Sequence, residues 1–360
     1  MKSRSLLWIL CFTLLPFLGA SAAEKTIVAA HYYAWYGGPV NPHWPGGVAH
    51  QPWIGYYSSA SPSVVRQQID VATQYGVDVF AVGWHGQDST EKKFQSGFLH
   101  APNLNQIKFC IVYDSSIRLI GDISNSKNFD FNDPTIRGKF LSDMTYLAQQ
   151  YFHHPSYFTV GGRPVLKIYL ARRFSGDFPS AIQQARQQWK QMGFNPFLVA
   201  DSLFYGRNDL YLISQFDAAT SYNIFSTGLL GDGIDTTGKL AAASRPQFWN
   251  FLYLLRDLKV AGTNQPVDFE PGVIPQFDAR KARENAAPLL AQSKDEVVEM
   301  FRVAKEISDA KHSGQNIVWI TSWNEWHEGT AIEPTVTGGT KYPGGNFGFD
   351  FVEAVSEVFR

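Results

Sequence analysis

Cysteine is nearly missing: the chain of 360 residues holds 2, Cys11 and Cys110. A disulfide-stapled scaffold is therefore excluded. None is needed, because a chain of this length buries roughly three quarters of its unfolded surface. Charge of one sign is missing as well, since 31 Lys+Arg face 32 Asp+Glu for a formal net charge of −1. A face that neutralises nucleic-acid phosphates has no source in such a balance. Long apolar runs are limited to one, at the extreme N-terminus, which excludes a membrane transporter. No repeat with a period of about 20–50 residues persists, and low-complexity stretches and charge blocks are absent. No glycine-rich phosphate turn follows the first apolar run, no Gly-x-Ser-x-Gly nucleophile elbow occurs, and no Asn-x-Ser/Thr acceptor is present. Disorder is excluded from the other side, because 44% of residues are hydrophobic and net charge is near zero.

What is abundant is aromatic: 10 Trp, 16 Tyr and 27 Phe. Many must fill a core, but Trp and Tyr beside polar groups also make platforms on which sugar rings stack. The N-terminus has its own grammar. Lys2 and Arg4 precede an apolar run over 6–18, which ends in Gly19-Ala20-Ser21-Ala22-Ala23. This is the pattern of a cleavable secretory signal, and the run is too short and too interrupted by Pro16 to span a bilayer. Residues 1–23 are expected to be the signal, 24–360 a single domain, and the mature protein secreted or periplasmic. Cys110 lies inside the apolar run 107–112 and reads as a buried core thiol.

Strand-like and helix-like segments alternate. Strands are expected over 26–33, 77–84, 107–113, 165–170, 197–201, 216–222, 267–275 and 316–323, the seventh interrupted by Pro271 and Gly272. Helices are expected over 62–75, with Ser61 as cap and Pro62 at its first position, and over 133–151, 179–192, 246–260, 293–310 and 349–359. Eight strands interleaved with helices predict a (β/α)8 TIM-type barrel with long loops, with an open doubly wound sheet as the alternative. A barrel places its chemistry where strands end. The ends here present Tyr32, Tyr33, Trp35 and Tyr36, then Trp84-His85, Tyr113-Asp114, Tyr169, Asp201, Tyr222-Asn223, and Gln276 with Asp278. The eighth strand runs into Ser322-Trp323-Asn324-Glu325-Trp326-His327-Glu328-Gly329.

Two carboxylates three residues apart, among Trp and His, suit glycoside hydrolysis, where one acid must stay protonated and another ionised. In a straight strand they would point to opposite faces. They can share one pocket only if the chain leaves extended geometry near Asn324. Read as solvated loop acids, they would have no such role. His153-His154 are adjacent on a helix and make a poor chelate, and His327 between two Glu offers too few nitrogen or sulfur ligands for zinc. No metal and no cofactor are called for.

The segment Ile320-Thr321-Ser322-Trp323-Asn324-Glu325-Trp326-His327-Glu328-Gly329-Thr330, continuing to Ile332-Glu333-Pro334, resembles the terminal active-site motif of glycoside hydrolase family 99, the endo-α-mannosidases and endo-α-mannanases. Tyr32-Tyr33-Ala34-Trp35-Tyr36-Gly37, followed by His43-Trp44, resembles that family's first strand and loop. Weaker matches are Trp84, Asp114, Tyr222 and Phe277-Asp278. The resemblance implies a (β/α)8 barrel acting on an oligo- or polysaccharide with retention and without metal. It implies that Glu325 is the base on the substrate's own 2-hydroxyl, giving a 1,2-anhydro sugar, and that Glu328 is the general acid and then the base for water. It makes Tyr33, His43, Trp84, Asp114, Tyr222, Asn324, Trp326 and His327 sugar-binding candidates. Glu333, beyond the paired acids and before Pro334, reads from its position as a structural acid expected to pair with a loop cation. The stretch 37–57 and the loop after strand seven depart from the family pattern, so specificity stays open. Related barrels include an α-1,3-glucanase family and glycosyltransferase-like proteins of polysaccharide-biosynthesis loci. A glycan-binding protein without turnover is the remaining alternative.

Overall fold

The computed structural model describes residues 25–37, 44, 50–120, 127–204, 208–222, 236–282, 287–311, 314–338, 341 and 343–360. The signal-like segment and His43 lie outside them.

Runs such as Ile27–Tyr32 and Ile317–Ile320 are buried almost throughout, as strands covered on both faces must be. Nine parallel strands result: β1 (Ile27–Tyr32), β2 (Val79–Trp84), β3 (Lys108–Asp114), β4 (Arg163–Tyr169), β5 (Phe197–Asp201), β6 (Ala218–Thr220), β7 (Asp268–Phe269), β8 (Gly272–Val273) and β9 (Ile317–Ile320). Around them lie α1 (Pro62–Gln74), α2 (Ser89–Ser96), α3 (Pro134–Tyr151), α4 (Phe178–Gln191), α5 (Leu210–Ile213), α6 (Thr237–Leu255), α7 (Lys294–Asp309) and α8 (Asp350–Phe359).

The sheet order is β7-β6-β5-β4-β3-β2-β1-β9-β8. Its two ends, β7 and β8, are neighbours in the chain, two halves of one barrel position. Asp268 and Phe269 pair with Ala218 and Ala219 of β6, whereas Gly272 and Val273 pair with Trp319 and Ile320 of β9. At the step between them, the Glu270 N–H donates to the Ala219 carbonyl and the Trp319 N–H donates to the Pro271 carbonyl. Pro271 has no N–H to leave unpaired at such a step. A Cβ on Gly272 would lie 1.9 Å from the Ser221 carbonyl oxygen, so only glycine fits where the half-strand crosses to its second neighbour. The sheet therefore closes as the expected (β/α)8 barrel, and the open doubly wound alternative falls.

Two expectations about elements are corrected. The sixth barrel helix starts at Thr237, not at Pro246, which lies inside it. Thr236 caps it by accepting from the Lys239 N–H at 3.3 Å. A proline in a helix interior costs about 3 kcal/mol. Burial of Leu240, Phe248, Phe251 and Leu255 along one face outweighs it, at about 1.5–3 kcal/mol for each side chain. The last strand ends at Ile320, three residues before the expected Trp323, and a cis peptide joins Thr321 to Ser322. Helix α2 carries a signal that pattern reading passed over: Asp88 caps it, accepting from Thr90 and Glu91 N–H at 2.8 and 3.0 Å. Cys110 is free and buried, as expected.

Candidate active site

The motif after β9 is a loop that hydrogen-bonds to itself. The Ser322 N–H donates to the Thr330 carbonyl at 3.0 Å, and the Ile332 N–H to the Ser322 carbonyl at 2.9 Å. The two hydroxyls, of Ser322 and Thr330, meet at 2.9 Å. Ser322 Oγ also accepts the Glu325 N–H at 2.7 Å, and the Thr330 N–H donates to the Glu325 carbonyl. The chain thus abandons strand geometry at Thr321, earlier than expected, and the turn brings Glu325 and Glu328 to one side of the barrel mouth.

Glu325 is 4% exposed and accepts the His327 N–H at Oε1, 3.1 Å away. The His327 ring stands over the same oxygen, with Nδ1 at 3.8 Å. Glu328 is half-buried, and its carbonyl accepts the Asp278 N–H at 2.7 Å, which ties the loop after the seventh strand to the acid. Gly329 follows in the left-handed region at φ +61, and a Cβ there would meet Asp278 N and O at 3.0 Å. Gly329→Ala is therefore expected to push Asp278 away from Glu328. The turnover number falls about tenfold to a hundredfold with a smaller change in KM, and steady-state kinetics checks it.

A buried network holds the loop from behind. Asn324 Oδ1 accepts the Tyr33 N–H at 2.7 Å, and its Nδ2 donates to the Tyr33 carbonyl and to Tyr57 Oη. Tyr36 Oη donates to the Asn324 carbonyl and accepts the Trp326 N–H. Tyr57 Oη also accepts Trp326 Nε1 and donates to Glu333 Oε2 at 2.7 Å. Gln68 Nε2 donates to Glu333 Oε1 at 2.8 Å and Tyr32 Oη to Gln68 Oε1 at 2.9 Å. Asn324, Trp326 and Glu333 are each wholly buried. Their polar groups are spent on this scaffold, so Asn324 and Trp326 position the loop rather than face solvent. Glu333 pairs with a tyrosine and a glutamine, not with the loop cation expected of it. Burial pushes its carboxyl up to about 7, against the hydrogen bonds it receives.

The pocket wall is phenolic. Tyr33 Oη and Tyr222 Oη meet at 2.5 Å. Tyr222 is held by its N–H on Asp201 Oδ1 and by its carbonyl on Thr321 Oγ1, and its ring meets Tyr169 edge-on at 4.9 Å. Tyr33 stacks on Trp35 at 4.3 Å, and Trp35 on His85 at 5.5 Å. Burial drives the Tyr33 hydroxyl well above its usual pKa, and the charges of Glu325 and Glu328 add to this. Tyr222 is raised for the same first reason, then by Tyr33 and Glu328. Tyr169 also feels Glu328. Three phenols kept protonated by burial thus lie near Glu328, and Tyr33 lies near Glu325 as well.

The second strand end is divided by the two-residue alternation of a strand. Trp84, 2% exposed, points to the helical layer, where Nε1 donates to Glu91 Oε1 at 2.9 Å and the ring lies near Tyr113 and Tyr146. The next residue, His85, stacks on Trp35 at the mouth. Asp114 serves two functions. Its Oδ1 accepts from Ser116 N, Ser116 Oγ and Ile117 N, which caps the following turn, and Oδ2 lies 3.7 Å from His85 Nε2. Tyr57 and Gln68 had no place among the sequence candidates, and His85 was named there only as a strand-end residue. Gln68 left a signal, a polar residue on the buried stripe of α1 beside Val65, Ile69 and Ala72.

A (β/α)8 barrel whose C-terminal mouth carries paired carboxylates under an aromatic wall has the architecture of a carbohydrate-active enzyme of the glycoside hydrolase kind. The chain belongs to the family described as Glycosyltransferase WbsX, whose sequence model matches residues 35–343. It is also similar to the glycoprotein endo-alpha-1,2-mannosidase of Rattus norvegicus, 23% identical in an alignment of 344 positions that covers 86% of this chain and 68% of the relative. Among solved structures it resembles the family 99 endo-α-mannosidase of Bacteroides thetaiotaomicron, with a TM-score of 0.65 and 17% identity over 93% of this chain and 96% of that one. A glycoside hydrolase-like protein gives a TM-score of 0.68 at 17% identity, covering 96% and 98%. The chain is a family-99-like relative, as its terminal motif implied.

Proposed function

We propose that the protein is an exported glycoside hydrolase that cleaves α-mannosidic linkages within a glycan chain, with retention. The observation that carries this reading is the single hydrogen-bonded loop that holds Glu325 and Glu328 beside the paired Tyr33 and Tyr222 hydroxyls. Glu325, with its carboxylate fixed by the His327 N–H, takes the proton of the sugar's 2-hydroxyl. The freed oxygen attacks the anomeric carbon, the glycosidic bond breaks, and a 1,2-anhydro sugar forms. Glu328, nearer solvent, protonates the departing oxygen and then deprotonates the water that attacks the anomeric carbon, while Glu325 returns its proton to the 2-oxygen as the anhydro ring opens. An internal nucleophile is already in place, so the protein's part is orientation and proton traffic. The endo-α-mannosidase relatives support the linkage, and the signal-like segment 1–23 supports export to the periplasm or the medium.

The family description favours a second reading, in which a sugar hydroxyl replaces water as the acceptor. The same two carboxylates serve either outcome. The deciding experiment incubates the protein with α-mannans, glucosylated mannosides and α-glucans, with and without added acceptor oligosaccharides. Release of shorter mannosides whose first-formed anomer retains the α configuration is the expected result. Extension of the acceptor in place of release establishes the transferase. Binding without either product, unchanged in Glu328→Gln, overturns both in favour of a glycan-binding protein.

A further inference from the structure

At the opposite end of the barrel, where the strands begin, a cavity of about 280 Å³ opens between the end of α6, the start of β7 and the residues after α7. Trp249 and Tyr253 stand one turn apart on α6 at its rim, 43% and 66% exposed. Large apolar side chains this exposed are few among the described residues, and aromatic area left in water is unfavourable unless something covers it. Both rings are held in place. Trp249 Nε1 donates to Glu306 Oε1 of α7 at 3.1 Å, and the Arg256 guanidinium packs on the Tyr253 ring at 4.1 Å. Leu252 and Pro266 add apolar wall. The polar part of the lining is an ion pair, Lys311 Nζ bridging both oxygens of Asp268 at 3.0 and 3.1 Å, with side chains only 2% and 7% exposed.

We propose that this cavity is a second glycan site, which holds one neutral sugar residue of a polymer without cleaving it. The chemistry of the lining matches a pyranose: a flat C–H face against an aromatic ring, and hydroxyls beside the exposed Arg256 guanidinium, since the Lys311 N–H groups are already spent on Asp268 and the Gln315 carbonyl. Each charge there is paired, Lys311 with Asp268 and Arg256 with Asp257, which suits an uncharged ligand better than an anion. The volume suits a single ring, and is too small for a protein helix. Its position behind the barrel means that a chain held here does not pass through the catalytic loop by the same residues. The site anchors the enzyme to its polymer.

Affinity electrophoresis through gels containing soluble α-mannan, galactomannan or α-glucan tests this, with Glu328→Gln as the parent so that the gel is not digested. At least one polysaccharide is expected to retard the parent. Adding Trp249→Ala, or separately the more exposed Tyr253→Ala, is expected to weaken that retardation about threefold to tenfold. The same two substitutions in the wild-type protein are expected to leave turnover of a short soluble oligosaccharide unchanged. Equal retardation of all forms overturns the proposal, as does retardation by none of the polymers. A fall in solution mass on Trp249→Ala, measured by light scattering, assigns the patch to contact between copies and overturns it too. Retardation does not need turnover, so the result stands apart from the fate of the hydrolase reading.

Discussion

Glu328→Gln is expected to leave the protein folded and to slow cleavage of a natural mannoside about a hundredfold to ten-thousandfold, the usual contribution of a positioned acid. On an aryl mannoside whose leaving group needs no proton, most of the lost rate in the first step returns. Glu325→Gln is expected to be as damaging on both substrates, because in the proposed mechanism the 2-hydroxyl is deprotonated whatever departs. The amide oxygen that Glu325→Gln introduces still accepts the His327 N–H now held by Glu325 Oε1, so loop geometry is kept and the loss reports on the base itself. Single-turnover kinetics of the two variants on the two substrates checks the assignment. Recovery by Glu325→Gln on the activated substrate, in place of Glu328→Gln, would exchange the two roles.

The second large effect concerns stability. Glu333 receives the Tyr57 hydroxyl and the Gln68 amide in a site closed to water. Glu333→Ala strands both donors and opens a cavity, at a cost of about 3–5 kcal/mol, and Tm falls on the order of 10 °C. Glu333→Gln is expected to be far milder. Tyr57 Oη is saturated as an acceptor by Asn324 and Trp326, so it must donate to the new amide's oxygen. The amide nitrogen then needs an acceptor, which Gln68 supplies by turning its own amide over.

The pH dependence carries the sign. The folded state holds the Glu333 proton up to about pH 7, well above the usual carboxyl range. Its contribution is whole below about pH 4.5 and is lost as pH rises through 7, on the order of 3 kcal/mol by pH 8. Wild type minus Glu333→Gln, measured by thermal melts between pH 5 and 8, isolates that slope.

Strand positions were legible because parallel barrel strands are short, β-branched and apolar; Asp133-Pro134 marked a helix start by its capping chemistry, whereas Ser61 makes no side-chain cap and the start of α1 was marked by Pro62. Pro246 misled because local propensity was read without the burial that overrides it. The paired acids were legible because they share one short segment. Their support was not, since Tyr57 and Gln68 reach Glu333 across 276 and 265 residues. No periodicity records a contact of that separation. Trp84 and His85 divide between helix layer and mouth by a single residue of strand phase, which a strand end read only as a cluster does not resolve.

The hydrogen bonds that position the loop of the two acids run from residues 322–333 to residues 32–68, across the junction where β9 joins β1. The earliest and latest parts of the barrel are thus each other's completion. On a ribosome, the first strand and its tyrosines emerge with no partner for Tyr33, Tyr57 or Gln68, and they wait while some 250 residues are made. The acids and the scaffold that aims them come into being in one event, when the last strand docks. Activity therefore requires completed folding: a chain halted just before β9 has most of its barrel and neither acid.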